Sequence, residues 1–350
     1  MTAIKTGLAS FGLSGQAFHA PFISTNPHFE LSKIVERSKD LSKTLYPSAT
    51  IVRSFEELLN DEELELIIVN TPDSTHYEYA KMALNKGKHV IVEKPFTPTL
   101  SEAEELIAIA EAKRLTLCTY QNRRWDSDFS TVKEILDKGL IGNLVEFEST
   151  IGRYRNYIKN SWKETEPVSG GITYDIGAHI IDQALHLFGR PESIFADIAT
   201  LRNGTNKDDY FVIHFYNTEK APNVRITLKA SFLMREPEPR FILHGTLGSF
   251  VKSGVDRQED DLRKGLMPNQ AHWGEEDSEN WGILHSEQEG KEFRRNYPSL
   301  AGNYNLFYEN IYDHIRHGFP LAITHDEMLN VIRLIESAYK SSDEKRIIKL

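Results

Sequence analysis

The first 120 residues alternate short β-branched runs with helix-patterned segments so regularly that few folds remain open to them. "KTGLASF" (5–11), "LSKIVE" (31–36), "TIVR" (50–53), "LELIIVNTP" (64–72), "KHVIVEKP" (88–95) and "LTLCTYQN" (115–122) read as strands. The fourth and fifth are almost continuously apolar, as strands buried on both faces must be. Between strands, "GQAFHAPFISTN" (15–26), "SFEELLND" (54–61), "DSTHYEYAKMALNKG" (73–87) and "SEAEELIAIAEAKR" (101–114) read as helices. Ser54 with Glu57 and Ser101 with Glu104 have capping-box spacing, and Gly87 stops the third helix. Strands separated by helices imply βαβ units and a parallel sheet. Residues 1–122 are therefore expected to form a doubly wound α/β domain of the Rossmann type.

The rhythm changes after that. "RWDSDFSTVKEILDKG" (124–139) reads as a connecting helix, and from Asn143 to residue 252 strands follow one another without helices between them. Residues 123–350 are thus expected to form an α+β domain around an open, mainly antiparallel sheet, with helices at 303–318 and 325–346. The polar stretch 253–300 reads equally as a long loop or a structured excursion.

"GLASFGLSGQAFHAPF" (7–22) follows the first strand. It fits the dinucleotide turn G-x-G-x-x-G except that Ser10 stands at the first glycine. Gly12 still lets the backbone approach a pyrophosphate, and Gly15 still permits close packing of helix on strand. Ser10 substitutes for the first glycine if its φ is negative. The helix opening near Gly15 presents N–H groups and a positive dipole end to phosphates. At the end of the second strand, "VERSKD" (35–40) offers two readings. Glu36 suits the ribose 2′-OH of NAD, whereas Arg37 with Ser38 suits the 2′-phosphate of NADP. NADP is favoured and NAD remains the alternative; a solvated loop is the bland reading of Arg37 and Lys39.

Two further places carry candidate chemistry. Lys94 ends a buried strand, so it is delivered to the crevice where open α/β sheets bind ligands, and a partly desolvated lysine suits proton transfer. In "TYDIGAHIIDQALHLFG" (173–189), Asp175, His179, Asp182 and His186 share one helix face. A metal site there lacks an HExxH pattern and an evident third ligand, so no metal is expected.

At 350 residues the chain is long enough for two domains. Its net charge of −10 argues against nucleic acid as a partner. The single cysteine, Cys118, suits a reducing compartment, and neither a leader pattern nor a membrane-length apolar run is apparent. A cytoplasmic protein acting on a small molecule, away from membranes, is the expectation.

"FGLSGQAFHAPFI", "TPDSTHYEYA", "GKHVIVEKPFT", "QNRRWDSDF", "YDIGAHIIDQALHLFG" and "DDYF" together resemble the glucose–fructose oxidoreductase and inositol dehydrogenase family (Gfo/Idh/MocA), in particular its NADP-dependent scyllo-inositol dehydrogenase-like branch. The resemblance runs over essentially the whole chain. It implies an NAD(P)-dependent oxidoreductase acting on a sugar or cyclic polyol, and a homodimer or homotetramer. It makes Lys94 and His179 the proton-transfer candidates and Asp175 a ligand of a substrate hydroxyl. Ser10, Phe11, Gly12, Gly15, Arg37, Ser38, Pro72, His76, Glu93, Lys94 and Asn122 would line the cofactor. Arg123, Arg153, Tyr154 and Trp162 would contact substrate. Two alternatives stay open: a dinucleotide-binding sensor without turnover, and an enzyme that uses NAD transiently to cleave a glycoside.

Overall fold

The computed structural model describes residues 2–159, 164 and 169–350. The chain divides into two compact units. The first holds six parallel strands: β1 (Ile4–Leu8), β2 (Phe29–Val35), β3 (Thr50–Val52), β4 (Leu66–Val69), β5 (His89–Val92) and β6 (Leu117–Thr119). Their order, β3-β2-β1-β4-β5-β6, reverses between β1 and β4 and creates the switch point at which such sheets bind ligands. Leu66 to Val69 and Val90 to Val92 are fully buried, which is why those runs carry no polar alternation.

The helix leaving β1 begins with a π-helical turn, Gly15–His19, and continues as α1 (Ala20–Thr25) with Pro21 in its first turn, where a missing N–H costs least. The short α2 (Ser42–Leu45) and α3 (Phe55–Leu59) flank β3. Ser54 caps α3 as expected, accepting from Glu57 N–H, although the Glu57 carboxylate reaches back to Arg53 N–H. The helices α4 (His76–Asn85) and α5 (Leu100–Lys113) complete the five crossovers that link the six strands. One capping box is corrected. The cap of α5 is Thr99 with Glu102, not Ser101 with Glu104: Glu102 accepts from Thr99 N–H at 3.1 Å while Thr99 Oγ1 accepts from Glu102 N–H. Both registers satisfy the pattern, and the earlier one closes the reciprocal pair.

The first unit comprises residues 1–122 together with Gln258–Trp273 and Asn303–Leu329, two stretches that the sequence reading placed within 123–350. Their aromatic side chains are the cause. Tyr308, from the helix Asn305–His317, stacks on Phe22 with centroids 5.6 Å apart, and Phe307 meets Tyr120 edge-on at 4.9 Å.

The second unit is built on a nine-stranded sheet: β7 (Leu144–Gly152), β8 (Pro191–Ala199), β9 (Tyr210–Thr218), β10 (Arg225–Ser231), β11 (Phe241–Gly245), β12 (Gly248–Lys252), β13 (Gly282–Gln288), β14 (Lys291–Tyr297) and β15 (Ile348–Lys349). Its order is β14-β13-β12-β11-β7-β10-β9-β8-β15, antiparallel throughout except for the central β7–β10 pair. The expected connecting helix is α6 (Ser127–Asp137), which follows a 3₁₀ turn at Asn122–Trp125. The core packs Phe147, Phe211, Phe215 and Phe241 of the sheet against Ile180, Ile181 and Ala184 of α7 (Ala178–Phe188). The undecided stretch 253–300 contains β13 and β14, a hairpin turning at Glu289 and Gly290, both with positive φ, as a two-residue I′-type connection requires.

Candidate active site

The dinucleotide turn shows why serine serves in the first position. Ser10 is absent from the residues with positive φ, and it makes three hydrogen bonds with Asn70 at the end of β4. Ser10 N–H donates to Asn70 Oδ1, Ser10 Oγ–H donates to Asn70 O, and Asn70 Nδ2 donates to Ser10 O, each at 2.9 Å. The side chain that breaks the fingerprint thus ties the two central strand ends together. At Gly15 an added Cβ would lie 2.5 Å from Ser10 O, so glycine is a packing requirement there. At Gly12 it would meet only Ser10 Oγ, at 3.9 Å, so this exposed backbone is open to an approaching ligand. Phe11 is buried beneath the turn, edge-on to Tyr46.

The end of β2 separates the two ribose candidates. Glu36 is buried, and its carboxylate accepts from Leu41 N–H (2.9 Å), Ser42 N–H (2.8 Å) and Ser42 Oγ–H (2.5 Å). Arg53 donates to the carbonyls of Glu36 and Lys39 at 2.8 Å, fixing the loop between. Arg37 and Ser38 lie exposed on that braced loop.

Past β5, Glu93 is buried and Lys94 is half-buried. Glu93 Oε2 accepts from Lys94 N–H at 3.0 Å, while Oε1 accepts from Ser14 Oγ–H at 2.5 Å and faces His19 Nε2 at 3.2 Å. Burial pushes the Glu93 carboxyl upward, but His19, Ser14 and Lys94 together outweigh it and bring it down to about 2. The Lys94–Pro95 peptide is cis. His76, also buried, sits with its ring nitrogens 2.8 Å from Pro95 O and 3.0 Å from Thr71 O, clipping the loop after β5 to the loop after β4. Pro72 lies in that second loop, half-buried.

In the second unit, Asp175 sits half-buried in a π-helical turn, Thr173–Gly177, that precedes α7, and His179 is buried in the first turn of α7. Sequence periodicity predicted one continuous helix; π turns of this kind recur at functional sites. The remainder of the predicted polar face is structural. Asp182 is gripped by Arg124 through two hydrogen bonds, 2.8 and 2.6 Å, with both side chains almost fully buried, and Arg124 also approaches His186 Nδ1 at 3.2 Å. The start of this element is held by Asp208, whose Oδ2 accepts from Thr173 N–H (2.8 Å) and Thr173 Oγ1–H (2.7 Å). Tyr339 donates to Asp208 Oδ1 at 2.6 Å.

Among the other candidates, Asn122 is buried in the 3₁₀ turn. Arg123 pairs with Asp126 at 3.1 Å, and its carbonyl accepts from Gln183 of α7. Arg153 and Tyr154 are exposed, and the Arg235 guanidinium lies 3.9 Å above the Tyr154 ring. Trp162 lies outside the described residues. Sequence reasoning missed Asn70, His19, Arg124 and Asp208; only Asn70, a polar residue closing an apolar strand, left a local signal.

The first unit suits a nicotinamide dinucleotide: Gly12 is open above the switch point, a helix begins directly behind it, and Lys94 stands at a neighbouring strand end. Among the described residues no group of three or more His, Cys, Asp or Glu side chains is placed to hold a metal ion. No described helix is long and apolar enough to cross a membrane.

Residues 4–121 match a family model described as an oxidoreductase family NAD-binding Rossmann fold, and residues 133–350 match that family's C-terminal alpha/beta domain. The scyllo-inositol 2-dehydrogenase (NADP(+)) IolW of Bacillus subtilis is 38% identical over 347 residues, covering 99% of this chain and 96% of that protein. A solved Bacteroides fragilis structure is 61% identical, with a TM-score of 0.94 over 99% of this chain and 100% of that one. The YvaA structure of Bacillus subtilis is 37% identical, with a TM-score of 0.95 over 100% and 99%.

Proposed function

The chain belongs to the Gfo/Idh/MocA family of nicotinamide-dependent oxidoreductases, and from that membership we propose that it transfers a hydride between NADP and a secondary alcohol of a cyclic polyol or sugar, of the inositol kind. The observation that carries this reading is the 38% identity, along 99% of the chain, to a protein whose name is scyllo-inositol 2-dehydrogenase (NADP(+)). Support for NADP over NAD comes from Glu36, whose carboxylate is already taken up by Leu41 and Ser42, beside the exposed cation Arg37.

The bound nicotinamide supplies the hydride acceptor. Lys94 and His179 are the proposed handlers of the hydroxyl proton, and Asp175 the acceptor for a substrate hydroxyl. Gly12, Gly15 and Ser10 shape the pyrophosphate turn; Phe11, Pro72, His76, Glu93 and Asn122 support the dinucleotide, and Arg123, Arg153, Tyr154 and Trp162 the polyol. A cytoplasmic homodimer or homotetramer completes the reading.

The test is initial nicotinamide reduction with NADP⁺ and, separately, NAD⁺, against scyllo-inositol, myo-inositol and common aldoses. Accumulation of NADPH with one polyol is the expected result. A preference for NAD⁺ would hand the ribose to Glu36. Cleavage of a glycoside without net reduction, or tight dinucleotide binding without turnover of any polyol or sugar, would overturn the dehydrogenase reading.

A further inference from the structure

His19 ends the π-helical turn that opens at Gly15, and no part of it is exposed. A buried imidazole needs partners for both ring nitrogens. Nε2 lies 3.2 Å from Glu93 Oε1, and Nδ1 lies 2.8 Å from Tyr308 Oη. The Glu93 carboxylate already receives Ser14 Oγ–H and Lys94 N–H; as an ionised group it only accepts, so Nε2 carries a proton. Tyr308 Oη also lies 3.0 Å from Phe18 O, so its hydroxyl closes the Nδ1 side of the ring. Tyr120 Oη–H donates to the same carbonyl at 3.0 Å, and the Tyr120 ring lies against His19 with centroids 4.6 Å apart. Both ring nitrogens are thus partnered, and Nε2–H is held on the Glu93 carboxylate.

We propose that His19 is a positioning residue for the cofactor: through Nε2–H it clamps the buried Glu93 carboxylate, and Glu93 in turn fastens Ser14 of the dinucleotide turn to the main chain of Lys94. One carboxylate thereby links the element that meets the pyrophosphate to the element that presents the lysine. Four groups compose the unit, Ser14, His19, Glu93 and the Lys94 N–H, and Tyr308 closes it from behind.

The inference rests on the nicotinamide reading and is tested without turnover, by fluorescence and calorimetric titration of the full chain with NADPH and with NADP⁺. His19→Leu removes the donor to Glu93, His19→Gln keeps an N–H for Glu93, and Tyr308→Phe removes only the hydroxyl behind Nδ1. The expected result for His19→Leu is a loss of affinity for both dinucleotides of about tenfold, the equivalent of one charge-assisted hydrogen bond. His19→Gln, which restores a donor to Glu93, should return the affinities to within about threefold of wild type. A purely structural role would leave affinity tracking the melting temperature, with no rescue by His19→Gln. If His19→Leu does not fold, Tyr308→Phe carries the test, expected to weaken both dinucleotides about threefold with its melting temperature near wild type. Wild-type binding in His19→Leu, or in Tyr308→Phe where His19→Leu does not fold, would overturn the clamp alone. Wild-type protein binding neither dinucleotide would overturn the cofactor reading beneath it.

Discussion

Gly12 and Gly15 stand three residues apart, and the structure assigns them different jobs that alanine substitution should separate. In Gly15→Ala the new methyl would sit 2.5 Å from Ser10 O and 3.0 Å from Asn70 Nδ2, two atoms locked together by the Ser10–Asn70 hydrogen bonds. To reach ordinary contact it must gain roughly 0.9 Å against a turn that closes the central strand ends, and overpacking of this kind costs about 1–3 kcal/mol. For a unit of this size that corresponds to a fall in melting temperature of about 2–12 °C. In Gly12→Ala the methyl enters open space, with its nearest neighbour 3.9 Å away, so stability should stay within about 0.5 kcal/mol of wild type. The pyrophosphate needs that same space, so Gly12→Ala should lose at least about tenfold in NADPH affinity, or 1.4 kcal/mol. Thermal melts of the ligand-free proteins and fluorescence titration of NADPH measure the two effects separately. A Gly12→Ala protein that melted lower than Gly15→Ala, or that bound NADPH as wild type does, would refute the division of labour.

Four other outcomes are expected. Arg37→Ala should weaken NADP⁺ about tenfold while changing NAD⁺ little, as separate titrations would show; equal losses would return Arg37 to a solvated loop. Lys94→Ala and His179→Ala should each lower kcat by at least about a hundredfold with dinucleotide binding retained, and near wild-type kcat in both would remove them from proton transfer. Arg124→Leu should destabilise the second unit by about 3–5 kcal/mol, because it strands the buried Asp182 carboxylate, and Arg124→Leu/Asp182→Leu should recover much of the loss on denaturant titration. Glu93 titrates well below a free carboxyl, so its contribution to stability is complete above the unfolded value near 4.5 and disappears as pH falls toward 2. Melts of wild type and Glu93→Gln should therefore converge over that acid interval; a constant gap would show that Glu93 gains nothing from its charge.

The parts of the fold legible in the sequence are those in which burial repeats at short range. Leu66–Val69 and Val90–Val92 are apolar without interruption because both faces of the first sheet are covered, and Ser54 stands in β-conformation before a helix as its residue type dictates. β14 escaped notice because its residues are mostly exposed, leaving only the Glu289–Gly290 turn as a clue. The cap of α5 was misplaced by two residues because "TLSEAEE" contains overlapping capping boxes, and no local rule chooses between them. The places of Lys94 just past a strand end and of Asp175 and His179 around a helix start were legible from local pattern. What supports them was not: Ser10 and Asn70 lie 60 residues apart, Arg124 and Asp182 58, and His19 and Tyr308 289. Pairings at such separations depend on topology, which periodicity does not record.

The first unit is assembled from three stretches of chain, 1–122, 258–273 and 303–329. During synthesis, the amino-terminal sheet leaves the ribosome with Phe22, Tyr120 and His19 still lacking Phe307 and Tyr308. Nearly the whole of the other unit must be translated before those aromatics arrive. The nascent nucleotide-binding half is therefore an unfinished object for most of its time on the ribosome, exposing apolar rings that a chaperone or a dinucleotide could shield. A gene fragment ending at residue 122 would make that transient state permanent, and swapping cofactor-binding halves between relatives requires exchanging all three stretches together.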